Sequence, residues 1–137
     1  MRIATASTTT RTAERIIALP ATAAAAGVAR RELAATPGLG GEIGYKVLLL
    51  SSELIAVFVE GAEPRPDAVL KLSISVAPER VRVAVAGDMP HASADTLLHS
   101  RETPSLGGYG LQIVDRMADA WGSVGDDGGQ IWFEIAR

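Results

Sequence analysis

The sequence predicts an α/β (α+β) fold, a two-layer sandwich in which about three helices cover a mixed, mostly antiparallel sheet. Three observations predict it. Leu70, Leu72, Ile74 and Val76, and then Val81, Val83 and Val85, alternate with more polar or smaller residues, giving two half-buried strands joined by the turn Ala77-Pro78-Glu79-Arg80. Ile43, Val47, Leu50, Leu54 and Val57 or Phe58 recur at helical spacing and form one buried stripe. The segments follow the order β-α-α-β-β-α-β-β, and tight turns between consecutive strands disfavour a continuously wound parallel sheet.

Each element has its own signal. Arg15 to Leu19 suits a short strand that Pro20 ends, because proline donates nothing to a sheet ladder. Thr22 to Ala35 is alanine-dominated and therefore strongly helical, with Pro37-Gly38 closing it. The second helix is expected from Glu42 to Ala62, before the breaker cluster Glu63-Pro64-Arg65-Pro66. Gly87 to Leu106 carries no sustained period and reads as a long functional loop. A third helix is expected over Gly110 to Ala120. Trp121 to Val124 and Gln130 to Ala136 then form two closing strands around Gly125-Asp126-Asp127-Gly128-Gly129.

The chain has 137 residues, 47% of them hydrophobic, which is enough for one core and too little for two. Its formal charge is −3 with no lysine- or arginine-rich block, so it lacks the footprint of direct nucleic-acid binding. With no cysteine there is no disulfide or thiolate metal site, and His91 and His99 read as exposed loop residues. Met1 to Thr12 is polar and Ser/Thr-rich, without the apolar segment of a signal peptide, and no apolar run reaches membrane-spanning length. A flexible arm over residues 1–13, a domain over 14–137 and a cytoplasmic location are expected.

Gly107-Gly108-Tyr109-Gly110 feeds directly into the periodic run Leu111, Val114, Met117, Trp121. Glycines at a helix mouth let backbone N–H groups approach an anion where the helix dipole favours negative charge, although such glycines also serve plain loops. Trp121 and Trp132 read as core or edge packing, and Asp115 and Arg116 as an exposed pair.

The helix bearing Ser52-Glu53-Leu54, the strand pair, the long loop, Gly108-Tyr109-Gly110-Leu111-Gln112-Ile113-Val114-Asp115 and the closing Trp132-Phe133-Glu134 form a recognisable order. On these motifs the chain resembles the bacterial anti-sigma-factor serine kinases, of the histidine-kinase-like ATPase (GHKL, or Bergerat-fold) superfamily. The resemblance runs from Arg15 to nearly the end. It is strongest at Leu48 to Leu54 and Gly108 to Trp121, and includes Leu19-Pro20-Ala21 through Arg30-Arg31.

That resemblance implies ATP and Mg²⁺ bound between the sheet and a lid formed by Gly87 to Leu106. It implies a sigma factor and/or an anti-anti-sigma protein as partner, and a homodimer. Glu53 would be the catalytic base, and the nucleotide-contacting positions carried over are Asp88, Gly108, Gly110, Leu111 and Gln130. Three positions depart from the pattern. Val57 stands where an asparagine would ligate Mg²⁺. Gly87 stands in phase where an aspartate would accept from adenine, with Asp88 one residue late and needing a bulge to reach the same face. Gln130 replaces a threonine. No metal ligand is carried over. These departures favour a regulatory binding module acting by partner switching, its ATP binding and kinase activity weakened or lost. The alternative is an active ATP-dependent serine/threonine kinase acting on an anti-anti-sigma factor. On the first reading Glu53 is a solvated or arginine-paired carboxylate on a helix flank.

Overall fold

A computed structural model describes residues 13–61, 68–87, 106–124 and 129–137. Among these, the elements in chain order are β1 (Ala13–Pro20), α1 (Ala25–Ala34), α2 (Gly41–Gly61), β2 (Val69–Val76), β3 (Arg80–Ala86), α3 (Leu106–Met117), β4 (Ala120–Val124) and β5 (Gln130–Ala136). The strands form one sheet in the order β1-β2-β3-β5-β4, and every neighbouring pair is antiparallel. The expected mixed sheet is therefore antiparallel throughout its described ladders. The reason lies in the connections: β3 and β4 do run in the same direction, but β5 is wedged between them and bonds antiparallel to both. Between β1 and β2 the two successive helices return the chain reversed.

Strict alternation gives the sheet two unlike faces. Ile17, Leu19, Leu70, Leu72, Ile74, Val81, Val83, Val85, Ile131 and Phe133 point to the helices and are buried. From the helical layer Val47, Leu50, Leu54, Val57, Phe58, Leu111 and Val114 meet them. On the other face stand Glu14, Ile16, Lys71, Ser73, Arg82, Trp132 and Glu134, and no described element covers them.

Helix α1 starts three residues later than expected because Thr22 is used outside it, its Oγ1 accepting from the Ala24 N–H at 3.2 Å. Its buried face is Ala25, Ala29 and Leu33, small residues that let the backbone approach its neighbours closely. Arg15 ties β1 to the end of this helix, donating to the Glu32 carbonyl (2.9 Å), the Thr36 hydroxyl (2.8 Å) and the Glu32 carboxylate (2.7 Å).

At the start of α2, Gly44 is buried beneath the Leu39 carbonyl, so that a Cβ there would overlap that backbone oxygen. Helix propensity alone makes Gly44→Ala stabilising by up to ~1 kcal/mol. Overlap with backbone cannot relax by a side-chain rotation, and overpacking of this kind costs about 1–3 kcal/mol. A net loss is expected in chemical denaturation, and a gain would show that the Leu39 turn yields freely.

Helix α3 differs most from expectation, starting at Leu106 and ending at Met117 rather than spanning Gly110 to Ala120. The glycines lie within its first turns instead of preceding it. Its end is fixed by side-chain bonds: Trp121 Nε1 donates to Asp115 Oδ1 at 2.8 Å, and the Asp119 carboxylate accepts from the Ala136 N–H at 2.6 Å. Asp115 thus serves Trp121 rather than Arg116.

Candidate functional site

The helical layer carries five of the singled-out positions. Helix α2 carries Glu53 and Val57 one turn apart on one flank, and α2 packs along α3. Glu53 is half-buried, with its Oε2 atom shielded from solvent. Val57 is only 2% exposed and belongs to the core. Leu111 is fully buried from α3, in the same core. Gly108 and Gly110 lie in the first turns of that helix, where the first four N–H groups have no partner within the helix.

Gly87 closes β3, its N–H donating to the Gly129 carbonyl at 3.0 Å. Its position in phase with Val81, Val83 and Val85 is as the alternation predicts. A Cβ there would lie 2.5 Å from Leu70 Cδ2 and 3.4 Å from Phe58 Cδ1. The space that a side chain would use is filled by two residues that are themselves almost wholly buried, Leu70 at 1% and Phe58 at 0% exposure. Asp88, and the loop that would form a lid with His91, Asp95, His99, Arg101 and Glu102, lie outside the described residues, as does most of the N-terminal arm.

Gln130 is not part of this grouping. It pairs with Ala86, out of phase with the buried Ile131 and Phe133, and lines a hollow on the opposite, uncovered face of the sheet. A one-residue offset reverses every side chain of a strand, so the residue on the helical side here is Gly129, which carries no side chain.

The residues present therefore do not fit a magnesium nucleotide on the family pattern. Mg²⁺ demands hard oxygen ligands in near-octahedral array, and a core valine offers none. The family pattern puts a side-chain oxygen at the end of β3, whereas this chain has a glycine there, and a Cβ at Gly87 would displace the tip of the buried Leu70 side chain. Among the described residues no group of three or more His, Cys, Asp or Glu is placed to hold a metal ion. No protein-family model matches the chain, and no curated protein does. No described helix is long and apolar enough to cross a membrane.

Two features escaped sequence reading. Leu70 and Phe58 read simply as core, and only the geometry shows that they back Gly87. On the uncovered face, Arg82 lies 4.2 Å over the Trp132 ring and reaches Glu134 at 3.1 Å. Trp132 lies so close over Gly122 that a Cβ there would come 3.0 Å from its ring. This array needs β3 and β5 to be neighbours, which their separation along the chain conceals.

Proposed function

We propose that this chain is an anti-sigma-factor-like regulator with a GHKL-type fold, acting in the cytoplasm by binding a sigma factor and/or an anti-anti-sigma protein, and that its nucleotide chemistry is weakened or lost. The observation that carries the second half is the burial of Val57 together with the Leu70–Phe58 filling behind Gly87. Val57 belongs to the core, and a side chain at Gly87 would meet the buried Leu70. What supports the first half is the order of elements and the motif residues that the chain keeps. A sheet with one face that no described element covers, together with exposed flanks on the helical layer, offers surfaces for partner exchange, since two partners competing for one surface form a switch without any chemistry.

The solvent-shielded carboxylate oxygen of Glu53 on α2 favours a second reading as an active serine/threonine kinase with Glu53 as base. Labelled phosphate supplied as Mg-ATP separates the two. With an anti-anti-sigma partner co-expressed, no transfer is expected. Transfer that disappears in Glu53→Ala would establish the kinase and overturn the binding-module reading.

A further inference from the structure

No further inference is drawn: the strongest candidate, the hollow of about 360 Å³ beside the exposed Ile16 on the sheet face away from the helices, carries nothing because nothing in the structure shows what covers it, and the Arg82 guanidinium at its wall is already held by Glu134 and Trp132.

Discussion

Phe58→Ala is expected to destabilise the domain by about 3–5 kcal/mol, the range for truncating a fully buried aromatic ring. Phe58 is fully buried on α2 and approaches the end of β3, so its loss removes packing between the helical layer and the sheet. For a chain of this size a loss of 3 kcal/mol lowers the melting temperature by on the order of 10 °C. Differential scanning calorimetry measures it. A loss under about 1 kcal/mol would mean that the site collapses around the deletion, and that Phe58 does not brace the layer as described.

Gly87→Asp is expected to destabilise by about 2–4 kcal/mol and to create no affinity for Mg-ATP. The new Cβ would push against the buried Leu70 side chain, with Phe58 next to it, so the substitution overpacks the junction of β3 with the helical layer. The sign is informative because the resemblance, taken alone, makes this the substitution that restores an adenine acceptor. Denaturant titration of the variant gives the stability, and calorimetric titration with Mg-ATP gives the binding. A variant as stable as the parent that gained nucleotide affinity would show that the cleft behind Gly87 opens.

Much of this arrangement was legible in the residues. The alternation of Leu70 to Val76 and Val81 to Val85 fixed which side chains face the helices, and the phase of Gly87 followed from it. Val57 was legible as an apolar residue within an apolar helical stripe. The face of Gln130 was legible too, since Ile131, Phe133 and Ile135 alternate with it, but the family pattern drew attention to residue type rather than parity. The start of α3 was not. Three glycines cost about 1 kcal/mol each in a helix interior, so propensity delays the helix to Gly110. The structure begins it at Leu106 and buries Leu111 and Val114 completely, a tertiary gain that local preference does not contain. The Arg82–Trp132–Glu134 array was hidden for a different reason. Its members lie on strands adjacent in space but separated in the chain by α3 and β4.

The uncovered face and the filled helical side suggest a division of labour within one small fold. On the helical side Glu53 lies on α2 and glycines lie in the first turns of α3, while Val57 belongs to the core. On the proposed reading, regulation rests on which partner is bound.

The central proposal is that this chain is a regulator of the GHKL type without a working nucleotide site. Isothermal titration of the full chain with Mg-ATP, read together with thermal shift, tests it most directly. The account predicts no binding heat and no rise in melting temperature up to millimolar nucleotide, because a ligand that binds only the folded state must raise its stability once its concentration exceeds the dissociation constant. Saturable heat accompanied by a rise in melting temperature would contradict it.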